Sequence, residues 1–261
     1  MSDSSPPADS SVADSSIKSS TRVAVKSSAG LSTPPTAGPG IAPKIAVVDY
    51  DMGNLHSACK ALALAGARTE ITADPAVMAD AEAVVLPGVG AFDPAMQHLG
   101  DRDLIQPLRD IAASGKPFLG ICVGMQLLFE SSEEGEAEGL GIVPGTVRRF
   151  QSEPGLTIPH MGWNQLTFTQ PESVILAGLT PEQQANAWVY FVHSFYAEPR
   201  HEAVNAAVVK HGSQQVTAAI AQGNVVATQF HPEKSSTVGL QILANFVASL
   251  SPRVSGAPIA A

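Results

Sequence analysis

KPFLGICVGMQLLFE, residues 116–130, joins a buried-type strand to a helical segment with a single cysteine at the junction. Its first half is apolar, and apolar side chains recur at helical spacing after Cys122. Gly120 and Gly124 flank the cysteine, because side chains at a tight strand-to-helix turn would collide with each other or with the sheet. This pattern predicts a nucleophile elbow in which cysteine takes the position of serine.

Strands and helices alternate around the elbow. KIAVVDY (residues 44–50) and AVVLPG (83–88) are further buried-type strands, and a helix opened by Asn54 and stopped near Gly66 lies between them. Such alternation implies right-handed crossovers and a mostly parallel sheet. Loops at the carboxyl ends of these strands, where Cys122 falls, are the usual place for chemistry.

The later part of the chain has a different pattern. Four strand-like segments follow one another closely, at residues 189–196, 202–212, 217–224 and 225–231. Gly223-Asn224, between the last two, is typical of a tight hairpin, so we expect antiparallel strands at the edge of the sheet, followed by a final helix over residues 237–250. The predicted fold is a single α/β domain with a mostly parallel central sheet, flanking helices and antiparallel edge strands.

The predicted domain covers residues 44–252. Before it, residues 1–43 are dominated by Ser, Pro, Ala, Thr and Gly, so they cannot offset the entropy of ordering and are expected to be disordered. Residues 253–261 are expected to form a flexible tail. The first segment lacks the apolar run of a secretory signal, and its acidic residues do not suit an organellar transit peptide, so we expect a cytoplasmic protein.

Composition excludes several function classes. The formal net charge is −9 and there is no basic stripe, so nucleic acid is not an expected partner. No apolar stretch approaches the roughly 18 residues that span a bilayer, so no membrane association is expected. The two cysteines predict no disulfide, and for Cys59 a small buried side chain is the favoured interpretation.

A cysteine nucleophile needs a base, and the candidate lies in ATQFHPEKSS, residues 227–236. An apolar strand ends there at His231. Positions two apart in an extended segment face the same side, so Glu233 can accept from one imidazole nitrogen while the other faces the thiol. An isolated His-Pro-Glu is more often a capped strand end, but together with the elbow it predicts a catalytic triad of nucleophile Cys122, base His231 and orienting Glu233.

Backbone amides for an anionic intermediate are available at two places. The amide of Val123 follows the nucleophile. The loop PGVGAF, residues 87–92, can bring the amides of Val89 and Gly90 to the same point, although such a loop taken alone is usually only a turn. Its spacing is that of neither a dinucleotide fingerprint nor a phosphate loop, and the histidines show no metal-ligand spacing. No metal and no other cofactor are therefore predicted.

GICVGMQ (residues 120–126) with the distant HPE resembles the triad-type, class I glutamine amidotransferases. Within that family, PGVGAF, PHMGWN (residues 159–164) and HPEKS together resemble the glutaminase subunits of imidazole glycerol phosphate synthases. The likeness extends from Lys44 to about Leu250. It implies that L-glutamine is hydrolysed through a thioester on Cys122. It also implies a heterodimer with a cyclase subunit, which uses the ammonia in histidine biosynthesis.

The resemblance implies roles for further residues. Glutamine would be bound by Gln126, the backbone of Gly90, Glu134, and the backbone near Ser194 and Phe195. The cyclase would be faced by Asn54, Trp163 and Lys234. For Trp163, an ordinary core position is an equal alternative.

DYDMGNLHS, residues 49–57, departs from the family pattern at Asp51, where glycine is expected, and at His56, where a basic residue is expected. Both positions bear on the docking surface and not on the triad. Two alternative functions stay open. One is the glutaminase subunit of another amidotransferase, such as the pyridoxal phosphate or anthranilate type, and the other is a non-catalytic module that keeps the fold for assembly.

Overall fold

The computed structural model describes residues 42–250. The segment predicted to be disordered, residues 1–43, lies outside the described residues except for Ala42 and Pro43, and the predicted tail, residues 253–261, lies outside them entirely. Among the helices of the described range, none combines the length and the apolar character that a bilayer crossing needs.

The described residues form thirteen strands and seven α-helices. The strands are β1 (Lys44–Val48), β2 (Arg68–Thr72), β3 (Ala83–Gly88), β4 (Phe118–Cys122), β5 (Ser131–Ser132), β6 (Gly145–Arg149), β7 (His160–Gln165), β8 (Thr167–Phe168), β9 (Trp188–His193), β10 (Phe195–Pro199), β11 (Asn205–His211), β12 (Gln214–Gln222) and β13 (Val225–Thr228). The helices are α1 (Leu55–Leu64), α2 (Pro75–Asp80), α3 (Phe92–Asp101), α4 (Ile105–Ala113), α5 (Val123–Gln126), α6 (Pro181–Ala185) and α7 (Ser236–Ser249), with short 3-10 turns at Glu202–Val204 and Pro232–Lys234.

Eight strands form the main sheet, in the order β2-β1-β3-β4-β13-β12-β11-β8. The strands from β2 to β13 run parallel, whereas β13, β12, β11 and β8 pair antiparallel. Gly223 and Asn224 form the turn between β12 and β13, where Gln222 pairs with Val225. The structure confirms the predicted α/β fold with a mostly parallel sheet and antiparallel strands at one edge.

Apolar side chains fill both faces of the parallel part of this sheet. Every residue of β3 and β4 is buried, as expected for strands covered by helices on both sides. The side chain of Asn54 caps α1 by accepting from the Ser57 amide, and the helix ends before Gly66, whose φ of +97° suits glycine. The predicted start and end of this helix are confirmed.

The prediction that residues 189–196 join the main sheet is wrong. They divide at Ser194 between β9, which pairs with β7 in a two-stranded ribbon, and β10, which pairs with β6 beside β5. Along β9, Val189, Phe191 and His193 are buried and the residues between them are not. A strand with only one buried face does not suit a sheet that is covered on both faces.

The helical segment after Cys122 is shorter than its sequence pattern suggests. α5 is a single turn, because the carbonyls of residues 127–129 do not continue the helical ladder. They accept instead from the amides of residues 140–142, at 2.8 to 3.1 Å. The following chain therefore folds back over the end of α5 and stops it.

The two outer strands of the main sheet are poor templates for a further strand. At one edge, β2 exposes Arg68 and Glu70, and Lys44 of β1 forms an ion pair with Glu70 at 3.1 Å. At the other edge, β8 has only two residues. Charged or very short edge strands discourage pairing with other chains.

Candidate active site

Cys122 lies at the carboxyl end of β4 with a strained backbone. Its φ is +56° and its ψ −112°, a region that residues with a side chain rarely adopt. Such a conformation costs about 1–3 kcal/mol, so the surrounding structure has to hold it in place. The Cys122 side chain is only 4% exposed, and it lines a cavity described below.

Close packing between β3 and the elbow explains two of the glycines. A Cβ atom on Gly124 would lie 1.9 Å from the carbonyl oxygen of Leu86, and one on Gly88 would lie 2.6 Å from the hydroxyl oxygen of Tyr50. That hydroxyl donates to the carbonyl of Pro87 at 2.9 Å, which anchors the end of β3. Burial raises the pKa of Tyr50, so the hydroxyl keeps its proton and remains a donor.

His231 and Glu233 form the second part of the site. Nδ1 of His231 lies 2.8 Å from Oε1 of Glu233, and both side chains are almost completely buried. Ser235 fixes the turn that presents them, because its hydroxyl donates to the His231 carbonyl at 2.6 Å and accepts from the Tyr190 amide at 3.0 Å.

The surroundings of His231 raise the pKa of its imidazole to about 9. Burial acts to lower this pKa, but hydrogen bonds to Cys122 and to Glu233 outweigh it. The ring therefore carries a proton at neutral pH, and its Nδ1 lies against the Glu233 carboxylate. Cys122 and His231 line the same cavity, so the ring can exchange a proton with groups that enter it.

A cavity of about 350 Å³ brings the predicted residues together. Cys122 and His231 line it, as do all the residues predicted to bind glutamine or an oxyanion: Val89, Gly90, Val123, Gln126, Glu134, Ser194 and Phe195. The rest of the lining is formed by Pro159, Val192 and His193. Glu233 is not part of the wall and reaches the cavity only through His231.

Gln126 and Gln229 form a buried pair beside the sulfur. Nε2 of Gln126 donates to Oε1 of Gln229 at 3.1 Å and to the Phe195 carbonyl at 3.0 Å. Nε2 of Gln229 lies 3.9 Å from the Cys122 sulfur, within reach of a hydrogen bond to it. Gln229 was not predicted from the sequence. It stands two residues before His231, so its closeness to the predicted base along the chain was the signal that could have identified it.

Glu134 ties one side of the cavity to the loop that follows β3. A carboxylate oxygen of Glu134 accepts from the amide of Phe92, the first residue of α3, at 2.8 Å. Asp93 in turn accepts from the amides of residues 136 and 137, at 2.9 and 3.1 Å. The PGVGAF loop is thereby held at its far end, and Glu134 is placed both to support that loop and to line the cavity.

The residues predicted to face a partner differ in exposure. Trp163 is 51% exposed, so the alternative of an ordinary core position is wrong. Lys234 is exposed and directly follows the predicted carboxylate of the triad. Asn54 is half-buried, and its side chain is used as the cap of α1. Asp51 has a φ of +65°, a conformation that favours glycine, and its carboxylate pairs with Arg102.

The second cysteine offers no competing nucleophile. Cys59 is a half-buried residue of α1, and burial raises the pKa of its thiol, which disfavours the reactive thiolate. Within residues 42–250, no three His, Cys, Asp or Glu side chains are grouped so as to hold a metal ion. The cavity brings together a cysteine, which can act as a nucleophile, and an imidazole, which can act as an acid or a base.

The sequence is similar to a described family and to individual proteins. The family described as "Glutamine amidotransferase class-I" matches residues 46–250. The imidazole glycerol phosphate synthase subunit HisH of Acaryochloris marina is 65% identical over 205 residues, which are 78% of this chain and 94% of that protein. The subunit of the same name from Synechococcus elongatus is 62% identical over 209 residues, 80% of this chain and 94% of that protein.

Two solved structures share the fold at low sequence identity. The structure of PurLQS from Thermotoga maritima aligns with a TM-score of 0.62 and 19% identity, covering 81% of this chain and 100% of that one. The crystal structure of a putative GMP synthase protein from Thermoplasma acidophilum aligns with a TM-score of 0.58 and 21% identity, covering 81% of this chain and 95% of that one.

Proposed function

The chain belongs to the class-I glutamine amidotransferase family, and from this premise we propose that it is the glutaminase subunit of an imidazole glycerol phosphate synthase. The observation that carries the proposal is the shared cavity, which is lined by Cys122, His231 and the residues expected to bind glutamine. The 65% identity to the HisH protein from Acaryochloris marina supports the choice of this enzyme within the family.

Hydrolysis takes two steps. The Cys122 sulfur attacks the side-chain carbonyl carbon of glutamine and forms a C–S bond; the C–N bond then breaks as His231 gives its proton to the leaving nitrogen, which departs as ammonia. Water next attacks the thioester and passes a proton to His231, and the C–S bond breaks to release glutamate. Glu233 keeps the imidazole oriented and stabilises its protonated form.

The cavity wall suits this substrate. Its 350 Å³ accommodate a small amino acid, and the Val123 amide lies beside the sulfur, at the first position of α5, where an amide has no partner within the helix. Together with the backbone of Val89 and Gly90, it would stabilise the negative oxygen of the tetrahedral intermediates. Gln126 and Glu134 line the same wall and would bind the polar groups of glutamine.

The cyclase partner of the proposal would dock on the outer face of the β7–β9 ribbon. Met161 and Trp163 are 63% and 51% exposed there, and Trp188 on the paired strand is also exposed. Exposed apolar and aromatic side chains in one patch are typical of binding sites for other proteins. Pro159, immediately before β7, lines the cavity, so this face and the site of ammonia release are neighbours. Lys234 and Asn54 would extend the contact, and we place the heterodimer in the cytoplasm.

Replacing Cys122 by Ala tests the proposal. The variant should lose glutaminase activity in the presence of the cyclase by more than about 10³-fold, because no other group can form the thioester. Glutamate release is measured with purified cyclase and its ribotide substrate. Cys59→Ala is the matched control and should keep its activity, because Cys59 lies on α1 and does not line the cavity. Survival of hydrolysis in Cys122→Ala would overturn the proposed function.

A further inference from the structure

The carbonyl of Phe195, in the wall of the cavity, accepts hydrogen bonds from two side chains. One donor is Nε2 of Gln126, at 3.0 Å, and the other is Nδ1 of His193, at 2.8 Å. Because a carbonyl oxygen can only accept, Nδ1 of His193 must carry a proton. The position of Gln126 is thus linked, through one carbonyl, to a buried histidine that the proposed hydrolysis does not use.

A chain of hydrogen bonds continues from His193 away from the cavity. Its Nε2 lies 2.9 Å from Nδ1 of His160 on β7, and Nε2 of His160 lies 3.1 Å from Nδ2 of Asn164. The two histidines are paired residues of the β7–β9 ribbon and are only 4% and 6% exposed. This series of hydrogen bonds therefore crosses the buried face of the ribbon, and Met161 and Trp163 lie on the opposite face.

Asn164 fixes the direction of every bond in this chain. Its Nδ2 donates to the Lys210 carbonyl at 2.8 Å, and its Oδ1 accepts from the Gln165 amide at 2.8 Å, so its amide group cannot be turned over without losing both. Asn164 thus presents a donor to Nε2 of His160, which must accept. A neutral His160 then carries its proton on Nδ1 and donates to Nε2 of His193. The Asn164 amide at one end and the Phe195 carbonyl at the other therefore require the same proton positions on the two histidines.

The surroundings keep both rings neutral. Burial lowers the pKa of His160 to about 4 and that of His193 to about 3. His160 is stacked between Phe191, at 4.6 Å, and His211, at 4.2 Å between ring centroids. His211 also acts to lower the pKa of both rings, and His160 and His231 act to lower that of His193. A second proton on either ring would leave two donors facing each other, so protonation would interrupt this series of hydrogen bonds.

We propose that Asn164, His160 and His193 form a one-directional relay of hydrogen bonds between neutral side chains, and that this relay positions the Phe195 carbonyl and Gln126 to bind glutamine. The inference rests on the proposed function for the identity of the ligand. His160 and His193 are positioning residues, since they act on the ligand through the carbonyl of Phe195. The relay is expected to determine glutamine affinity and to have little effect on the chemical step.

The first test needs no ligand. In the full chain with ¹⁵N-labelled histidine, NMR should show His160 and His193 protonated on Nδ1 and unprotonated on Nε2, with no titration between pH 5.5 and 8. Either ring with a proton on Nε2, or either ring titrating in this range, would overturn the relay.

The second test measures the equilibrium affinity for L-glutamine by calorimetry, in a Cys122→Ala background that prevents turnover. His160→Phe keeps the ring but removes both nitrogens, and glutamine should bind about 10-fold more weakly, as expected for the loss of one positioned hydrogen bond. His160→Asn should restore most of the affinity, because its side-chain nitrogen can occupy the position of Nδ1. His211→Phe, which keeps the stacking on His160 but lies outside the relay, is the matched control and should bind as the parent does.

The outcomes separate the relay from the proposed function. If the parent binds glutamine and His160→Phe binds it equally well, the relay has no positioning role. If His160→Asn and His160→Phe are equally impaired while the melting temperatures of both fall, the residue is only structural. If the parent itself does not bind glutamine, the proposed function and the relay's role in binding fail together, while the NMR result still decides the hydrogen-bond chain on its own.

Discussion

Gly124 has no space for a side chain, and this determines how the strained backbone at Cys122 is held. A Cβ atom there would meet the Leu86 carbonyl at 1.9 Å, so Gly124→Ala must push α5 away from β3. We expect the free energy of unfolding to fall by about 1–3 kcal/mol, the usual cost of overpacking. The kcat/KM for glutamine should fall by about 10²-fold, because the sulfur moves relative to His231. Urea unfolding and a glutaminase assay with cyclase measure the two effects.

Gly100→Ala is the matched control for this prediction. Gly100 lies near the end of α3, and the nearest atom to an added Cβ, on Ile105, is 3.7 Å away. Alanine is favoured over glycine inside a helix, so stability should be unchanged or rise by up to about 1 kcal/mol. Equal losses in both variants would contradict the packing explanation.

The raised pKa of His231 predicts a pH-dependent contribution to stability. The pKa rises from 6.5 to about 9 on folding, so the folded state binds the proton more tightly than the unfolded state. The resulting stabilisation is complete below pH 6.5 and is lost as the pH rises through about 9. Its size is on the order of 3 kcal/mol, from the energy of a pKa unit. Urea unfolding between pH 6 and 10 should therefore show the advantage of the parent over His231→Asn shrinking as pH rises. A constant difference would count against the raised pKa of His231.

Contacts between functional groups that lie close along the chain could be predicted from the sequence. Glu233 lies in the 3-10 turn Pro232–Lys234 and not in an extended segment as predicted, but it is only two residues from His231, so their contact followed from proximity along the chain. The contact between His160 and His193 did not, because it depends on the register of β7 against β9, which neither strand specifies by itself.

Our two proposals give the faces of the β7–β9 ribbon different roles, with the relay on the buried face and the cyclase on the outer face, and the role of the outer face can be tested. Trp163→Ala should weaken binding of the cyclase by about 10- to 100-fold, because tryptophans that become buried when two proteins bind are frequent hot spots of interfaces. The free energy of unfolding of the isolated chain should change little, since Trp163 is 51% exposed. Titration calorimetry with the cyclase measures the affinity.

Leu64→Ala is the control variant for Trp163→Ala. Leu64 is 65% exposed at the end of α1, which leads to the start of β2, whereas Cys122 lies at the other end of the parallel strands. Its replacement should leave cyclase binding intact. If the two variants bind the cyclase equally, the outer face of the ribbon is not the docking surface.

Elements could be predicted from local patterns, but their partners and lengths only in part. Asn54 and Gly66 marked the two ends of α1 because capping is local chemistry. Nothing local showed that α5 would stop after one turn, since it is stopped by amides of residues 140–142. Residues 189–196 were misassigned for the same reason, because the sheet that a strand joins depends on what covers its second face.

At the scale of the whole molecule, the start of the folded unit can be tested by truncation. A chain beginning at Ala42 keeps the hydrogen bonds that the carbonyls of Ala42 and Pro43 accept from the side chain and the amide of Arg68. It should unfold with the free energy of the full chain to within about 0.5 kcal/mol. A chain beginning at Ala46 loses the fully buried Ile45 and should be less stable by more than about 2 kcal/mol. Urea unfolding of the full chain and of the two truncated chains measures these free energies. A clear loss in the Ala42 chain would mean that residues 1–41 contribute to stability.

The way the main sheet ends has a consequence for the chain during synthesis. Parallel strands that are distant in sequence pair late in folding. Newly synthesised molecules of this protein therefore have unpaired strands for a time, while other proteins are close by. A strand of another copy that approaches β2 meets the charges of Arg68 and Glu70. A strand that approaches β8 has only two residues with which to form backbone hydrogen bonds. Both edges therefore oppose the addition of further strands, during synthesis as well as in the folded protein.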